Sequence, residues 1–307
     1  MPDLPRRSIL MAATGTLLSA GAASSQGLGA AAGNWTTMSR TERDAAYNNS
    51  LAVPGSAGIV EGWTAASARL RERYAGSIDL PYGPRPRNTW DLFPAAAAER
   101  PCLVHIHGGY WQARSKENFA CMVEGALAAG WSAALPGYTL APDATLTQIV
   151  AEIRAALDWL AAEGPGRGIR GPIVLSGWSA GGHLAAMTLD HPSVKAGFAI
   201  SGIYELGPLR DTYVNDKLRL ADAEVATLSP LRLPVTDKPL VLAYGTAELS
   251  PLVENSRAFH AYRSERHGPG ALIPVPRANH FSVLEALRVR DGVLTRVLGD
   301  LAVGFSG

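Results

Sequence analysis

A serine stands at the centre of Leu175-Ser-Gly177-Trp-Ser179-Ala-Gly181-Gly-His-Leu184, between an apolar run that reads as a buried strand and a segment with helical spacing. Gly-x-Ser-x-Gly in a strand-turn-helix holds the serine in a strained turn, because a Cβ on either flanking position would strike the neighbouring strand or helix. Ser179 is then expected to stand exposed at the C-terminal edge of a sheet, its hydroxyl free to attack an acyl carbon. The pattern alone arises by chance in a chain with 32 glycines, and an ordinary tight turn would give the same letters. Its position between strand and helix is what singles it out.

A second glycine motif supplies what an acyl-transfer nucleophile needs. His107-Gly108-Gly109-Tyr110-Trp111 follows the apolar run Cys102 to Ile106, and a Gly-Gly step lets backbone N–H groups turn toward a developing oxyanion. Gly108 and Gly109 are the expected donors, joined by the N–H of Ala180, with the Tyr110 N–H able to replace one of the glycines. Each such donor is typically worth about 3 kcal/mol in the transition state. His107 precedes the serine and reads as an organiser of its loop, and His105 as a packed core residue.

The base follows by elimination. Nucleophile, acid and histidine occur in that order in such a fold, so of seven histidines only His260, His267 and His280 come late enough. His260 and His267 lie on or just after a helix. His280 follows the last strand through Arg277-Ala278-Asn279, in a loop at the same sheet edge as Ser179, and is the expected general base. The acid should leave the strand Pro239 to Ala243 into Tyr244-Gly-Thr-Ala-Glu248-Leu-Ser250, which selects Glu248 to orient the imidazole. Glu254 is the rival, but a glutamate in the first turn of a helix is already explained by the helix dipole. Asp211 and Asp216 are more distant choices.

The elements that must position these residues alternate along the chain. Cys102 to Ile106, Ser132 to Leu135, Pro172 to Leu175, Gly197 to Ile200, Pro239 to Ala243 and Leu272 to Val275 are short apolar runs without polar alternation, as strands buried on both faces should be. Asn118 to Ala129, Thr145 to Ala162, Gly182 to Leu189 and Leu252 to Arg266 have helical spacing, with Ser250-Pro251 as the expected start of the last. Ser39 and Glu42 form a capping box for a short first helix, and a second helix is expected from Val60 to Tyr74. Leu80-Pro-Tyr-Gly-Pro-Arg-Pro-Arg87 breaks any helix, and Thr89 to Phe93 fits an edge strand. The pattern predicts an α/β fold with a mostly parallel central sheet covered by helices on both faces. Glu205 to Leu233, with a helical stretch at Lys217 to Ala226, is long enough to cap the site.

Three groups of residues, His107 to Trp111, Gly177 to His183 and Ala278 to Phe281, resemble the arylformamidase (kynurenine formamidase) branch of the α/β-hydrolases. Tyr47-Asn48-Asn49 and Asp79-Leu-Pro-Tyr-Gly83 are similar to bacterial members as well, so the likeness spans most of the chain after its leader. The resemblance implies the α/β-hydrolase fold. It also implies an Asp or Glu after Gly245, which agrees with Glu248, and a reaction on aryl-formamides or short-chain carboxylic esters.

On this reading Ser179, deprotonated by His280, attacks the carbonyl while Gly108, Gly109 and Ala180 hold the oxyanion, and water then releases the acyl group. No cofactor and no metal are expected. Tyr110, Trp111 and Tyr138 follow strand ends on the same side and are candidates for an aromatic wall, against the alternative of plain core packing. A general exported carboxylesterase without formamidase activity would share every catalytic residue, and a non-catalytic hydrolase-fold binding protein would need none of them together. Cys102 and Cys121 fall at opposite ends of the sheet, too far apart for a disulfide.

The 307 residues carry 28 Lys and Arg against 27 Asp and Glu, with 47% hydrophobic residues, so a sizeable core can form and no basic block is available for nucleic acid. A small-molecule ester or aryl-amide substrate fits this balance. Arg6 and Arg7 precede an apolar run from Ile9 to Leu18 and the small residues Ala20-Gly21-Ala22, the order of a twin-arginine signal peptide over residues 1–22. The run is too short to span a bilayer. Residues 23–37 read as a flexible linker, residues 38–307 as the hydrolase domain, and the expected location is the periplasm, reached by the twin-arginine route. Removal of residues 1–22 takes away Arg6, Arg7 and Asp3, which leaves a net charge of zero. The family's metabolite is cytosolic, so this leader separates the chemistry from that metabolite.

Overall fold

The apolar runs assemble into one eight-stranded sheet. A computed structural model describes residue 35 and residues 37–304, so the leader and most of the linker lie outside the described residues. The strands are β1 (Leu80–Pro81), β2 (Thr89–Phe93), β3 (Cys102–Ile106), β4 (Ser132–Pro136), β5 (Ile173–Trp178), β6 (Val194–Ile200), β7 (Leu240–Gly245) and β8 (Leu272–Val275). Their order is β1-β2-β4-β3-β5-β6-β7-β8, with β2 antiparallel to β1 and β4 and the remaining pairs parallel. After β3 the chain goes to β4 on one side and after β5 to β6 on the other, so the strand order reverses between β3 and β5, where α/β sheets place their sites. Ile106 pairs with Gly177, so the loops carrying Gly108 and Ser179 leave the sheet side by side.

Both faces are covered because alternate strand residues bury on opposite sides. Leu103, Val174 and Phe198 face one core, whereas Val104, Leu175 and Ala199 face the other. Among the described residues the helices of eight residues or more are α1 (Arg40–Tyr47), α2 (Ser56–Glu72), α3 (Leu146–Glu163), α4 (Ala180–Met187), α5 (Ser250–Glu265) and α6 (Val293–Val303). Residues of α3, α4 and α5 pack into the Val104 core, and those of α2 and α6 into the Leu103 core. No described helix is long and apolar enough to cross a membrane. The Ser39–Glu42 capping box is formed, and Thr145 caps α3 in the same way.

Four local expectations change. Thr89 to Phe93 is not the edge, because Leu80 pairs with Trp90 outside it; a two-residue strand ending in proline is tolerated there since its missing N–H faces no partner. The helix expected from Asn118 to Ala129 breaks into Lys116–Phe119, a 3-10 turn at Ala120–Val123 and Glu124–Ala128. Cys121 N–H is drawn off to Ser67 Oγ at 3.0 Å, so the chain cannot continue the helical ladder there. The cap of α5 is Leu249 rather than Ser250, which instead donates to Glu254 Oε1 at 3.0 Å. Lys217 to Ala226 is interrupted at Arg219, whose φ of 51° is left-handed, giving Asn215–Leu218 and Asp222–Leu228. Cys102 and Cys121 are both free and buried.

The 205–233 stretch and the N-terminal segment meet each other. Tyr213 N–H donates to Asp44 Oδ1 at 2.7 Å, Arg40 pairs with Asp216 at 3.1 Å, and Trp35 Nε1 donates to Asp211 at 3.4 Å. These contacts occupy Asp211 and Asp216.

Candidate active site

Ser179 sits between β5 and α4 with φ 56° and ψ −119°, outside the relaxed regions for an L-residue. Glycine is required around it by contact: a Cβ on Gly177 would lie 2.1 Å from the Gly181 carbonyl oxygen, and one on Gly181 would lie 2.0 Å from that of Ile106. Such strain persists only where the surroundings fix it, here by β3, β5 and the packed start of α4. The residue is only 3% exposed, so the expected exposure of Ser179 is corrected: the serine is buried. The N-terminal segment and the 205–233 stretch stand over that end of the sheet.

The His107 to Trp111 loop lies against this turn. A Cβ on Gly108 would meet Trp178 O at 2.7 Å and Ser179 Cβ at 3.1 Å, so the absence of a side chain lets the two backbones touch. Gly109, Tyr110 and Trp111 follow with φ of 117°, 50° and 57°, which rotates their peptide planes in succession. Among the described residues the N–H groups of Gly108, Gly109, Tyr110 and Ala180 donate to no protein acceptor. The loop is closed by Gln112 and Ala113, whose N–H groups both donate to Gly109 O at 3.0 Å.

His107 anchors the loop from below. Its Nδ1 donates to Gly108 O at 2.8 Å, and its ring stacks on Tyr138 at 4.3 Å between centroids. Burial pushes its pKa down to about 3, so it is neutral and cannot act as a solvent-exchanging base. His105 is buried, held down at about 4 by burial, and meets Ser176 Oγ at 3.2 Å, the packed role read from the sequence. Trp111 and Tyr138, expected as candidates for a pocket wall, have no exposed surface and pack in the core; the Tyr138 hydroxyl donates to His107 O at 3.0 Å. Trp111 stands edge-on to His183 of α4 at 4.9 Å and 86°, so the two glycine motifs lock through their aromatic residues. Tyr110 alone of the three is a half-buried rather than a fully buried residue.

Glu248 and His280 are brought together as expected. Glu248 Oε2 lies 2.7 Å from His280 Nδ1, and both side chains are almost fully buried. A carboxylate can only accept, so Nδ1 carries the proton and Nε2 is left as the ring's acceptor. The other oxygen, Oε1, accepts from the Ser201 hydroxyl at 2.5 Å and the Gly245 N–H at 2.6 Å. The two loops are bound together by Ala247 N–H to Ala278 O at 2.9 Å and Arg277 N–H to Thr246 Oγ1 at 2.8 Å. Asn279 Oδ1 accepts the N–H groups of Phe281 and Ser282, which fixes the turn that presents His280. His260 is on α5, and His267 is exposed beyond it.

Two residues of this site escaped the sequence reading. Ser201 follows β6 in left-handed backbone (φ 50°), and only the sheet order shows that β6 stands beside β7 and its Glu248 loop. Trp178 is the variable letter of Gly-x-Ser-x-Gly, yet its indole packs on His280 at 4.6 Å. No spacing rule marks either one.

A strained serine after the central strand, a glycine loop beside it and a carboxylate–histidine pair after the last two strands, on this sheet order, define an α/β-hydrolase. The family described as BD-FAE matches residues 91–193, from within β2 to the residue before β6. The chain is 26% identical over 288 residues to a kynurenine formamidase of Danio rerio, covering 86% of this chain and 97% of the relative, and 29% identical over 238 residues to one of Salmo salar, covering 72% and 80%. A solved structure described as a candidate thioesterase from a Silicibacter species superposes with a TM-score of 0.76 at 28% identity, covering 84% of this chain and 99% of that one. The chain accordingly has the α/β-hydrolase fold, is similar in sequence to kynurenine formamidases, and is a hydrolase by activity class.

Proposed function

We propose that the protein is a serine hydrolase that cleaves aryl-formamide or short-chain carboxylic ester bonds through an acyl-enzyme. Ser179 is the nucleophile, His280 the general base and then acid, and Glu248 the residue that orients the ring and stabilises its imidazolium. The N–H groups of Gly108 or Tyr110, Gly109 and Ala180 receive the oxyanion, being without a protein acceptor among the described residues. The observation that carries this reading is the Ser179 backbone at φ 56° and ψ −119°, a strain that an ordinary turn would relax by placing glycine there.

The steps balance with water alone. Ser179 Oγ bonds to the carbonyl carbon as its proton passes to His280 Nε2; the tetrahedral centre collapses, and the same proton goes to the departing aryl nitrogen or ester oxygen. Water then attacks the acyl-serine, gives its proton to Nε2, and the carboxylic acid leaves as the serine is restored. Aryl amines and alcohols are better leaving groups than alkyl amines, which is how a formanilide and a short ester can share one site.

The kynurenine formamidase relatives favour a formamide, and a relative named esterase LipC from Mycobacterium tuberculosis, 26% identical over 80% of this chain, favours an ester. Initial rates on N-formylkynurenine beside p-nitrophenyl acetate and butyrate, with Ser179→Ala as blank, separate the two. Dominant formamide cleavage supports the arylformamidase reading; fast ester turnover with negligible formamide cleavage replaces it with a general carboxylesterase. Turnover that survives in Ser179→Ala, or none in the wild type, rejects the serine mechanism. The leader reading adds export by the twin-arginine route, which fractionation of cells expressing Arg6→Lys/Arg7→Lys beside the wild type would test.

A further inference from the structure

The side chain of Tyr110 has no part in the steps above, yet it is held more firmly than a pocket lining requires. It leaves the glycine loop in left-handed backbone (φ 50°), where a bulky residue is strained. Its hydroxyl donates to the Tyr47 carbonyl at 2.7 Å and accepts from Asn49 Nδ2 at 3.3 Å. Its ring stands edge-on to Tyr213 at 6.4 Å, and the Tyr213 hydroxyl reaches the same Tyr47 carbonyl at 3.4 Å. Asn49 is itself 6% exposed. Tyr110 is thus clamped by the N-terminal segment and by the 205–233 stretch, both outside the β3–β5 framework that carries the nucleophile.

The sheet order says which part of a substrate this clamp faces. Three groups surround a carbonyl carbon bonded to Ser179. The oxygen lies at the unpaired N–H groups, and the leaving group must receive a proton from His280, which arrives from the β8 side. The acyl chain is left to the flank of β3, on the other side of β5, and Tyr110 is the bulky half-buried residue that the β3 loop carries there, its ring held in place by the clamp.

We propose that Tyr110 sets the acyl-length limit of the site, admitting one- or two-carbon acyl groups and excluding longer ones, with Tyr47 and Asn49 as positioning residues that act through it. This rests on the serine-hydrolase reading. It makes the N-terminal segment a specificity element, since the Tyr47 carbonyl and the Asn49 amide hold the ring in place.

The test uses purified chain and the ratio of kcat/KM on p-nitrophenyl butyrate to that on p-nitrophenyl acetate. Both rates come from one sample, so the ratio is independent of the fraction folded. Tyr110→Asn removes the ring and keeps a residue that tolerates left-handed backbone. The expected result is a wild-type preference for acetate and a butyrate/acetate ratio about tenfold higher in Tyr110→Asn, the scale on which a pocket resolves one or two methylenes. Tyr110→Phe, which keeps the ring and loses both hydroxyl bonds, and Asn49→Ala should raise the ratio by a smaller factor of about three, on the same scale. A wild type that takes both esters equally, or a ratio unchanged in Tyr110→Asn, overturns the proposal; if Tyr110→Asn yields no folded protein, an unchanged ratio in both milder variants does so. Wild-type turnover that is absent or independent of Ser179 removes the underlying mechanism, and the proposal falls with it by a separate, identifiable result.

Discussion

The indole N–H of Trp178 donates to the carbonyl oxygen of His280 at 2.9 Å while its ring lies against the imidazole at 4.6 Å. The residue immediately before Ser179 therefore fixes the loop of the histidine, although the two are 102 positions apart. Trp178 in turn packs among Trp63, Phe119 and Phe281, so the elbow and the histidine share one aromatic support.

Trp178→Phe keeps most of that packing and removes the donor. The His280 carbonyl loses a buried partner, at a cost of about 1 to 3 kcal/mol in stability. A shift of the ring by a fraction of an ångström should lower kcat by about 10- to 100-fold with KM nearly unchanged. Paired rate measurements and chemical unfolding check both; wild-type kcat would remove Trp178 from the positioning of His280.

Glu248→Gln has a result fixed by its neighbours. The Gly245 N–H can only donate, so the glutamine must turn its carbonyl oxygen toward it and its NH2 toward His280 Nδ1. Nδ1 then has to accept, which leaves the proton on Nε2 and the base in the wrong tautomer, a defect worth about 10⁴ in kcat. Ser201→Ala removes one charge-assisted bond, of about 1.5 to 3 kcal/mol, and leaves the tautomer correct. Its kcat should fall far less, by about tenfold, and equal losses in the two variants would contradict the assignment.

The sheet and the candidate site residues are legible because each leaves a local mark. The runs at Cys102 and Leu272 match β3 and β8 residue for residue, and Ser179, Gly108, Glu248 and His280 were reached from motif, loop and chain order. What stayed hidden depends on contacts between distant segments. Phe119 interrupts a helix because Cys121 is bonded to Ser67, 54 positions away, and Ser201 becomes a partner of Glu248 only when β6 lies beside β7. Trp111 and Tyr138 were placed by their strand ends, but side-chain direction sends both into the core, where they support the glycine loop from behind.

The chain just beyond that loop is tied down by charge. Asp91 of β2 is fully buried and bonds Lys116 Nζ at 2.6 Å and Arg71 Nε at 2.7 Å, and Lys116 also meets Asp79. Burial alone would lower the Lys116 pKa, but Asp91, Asp79 and Glu117 raise it overall, so the ammonium stays charged. Lys116→Met should cost about 3 to 5 kcal/mol because Asp91 then loses a buried partner. In Asp91→Asn/Lys116→Met the loss should be smaller than the sum of the two single losses, which urea unfolding of all four proteins would show; additive losses would mean the pair is not coupled.

Stability should fall on mild acidification because of histidines that the chemistry does not use. Burial holds the pKa of His105 and His183 at about 4 and that of His107 at about 3, against 6.5 in the unfolded chain. Between those values the unfolded chain takes up protons that the folded chain refuses, so the stabilisation is complete above pH 6.5 and is lost as the pH falls toward 4. The slope approaches about 1.4 kcal/mol per pH unit for each histidine, or about 2 kcal/mol each from pH 7 to 5. His183 offers a clean subtraction, because its Nε2 donates to Leu228 O at 2.7 Å and a glutamine can supply a donor at a similar reach without titrating. His183→Gln should lose about 2 kcal/mol less than the wild type between pH 7 and 5 in urea unfolding. Equal losses in the two proteins would mean that His183 takes up its proton in the folded state as readily as in the unfolded one.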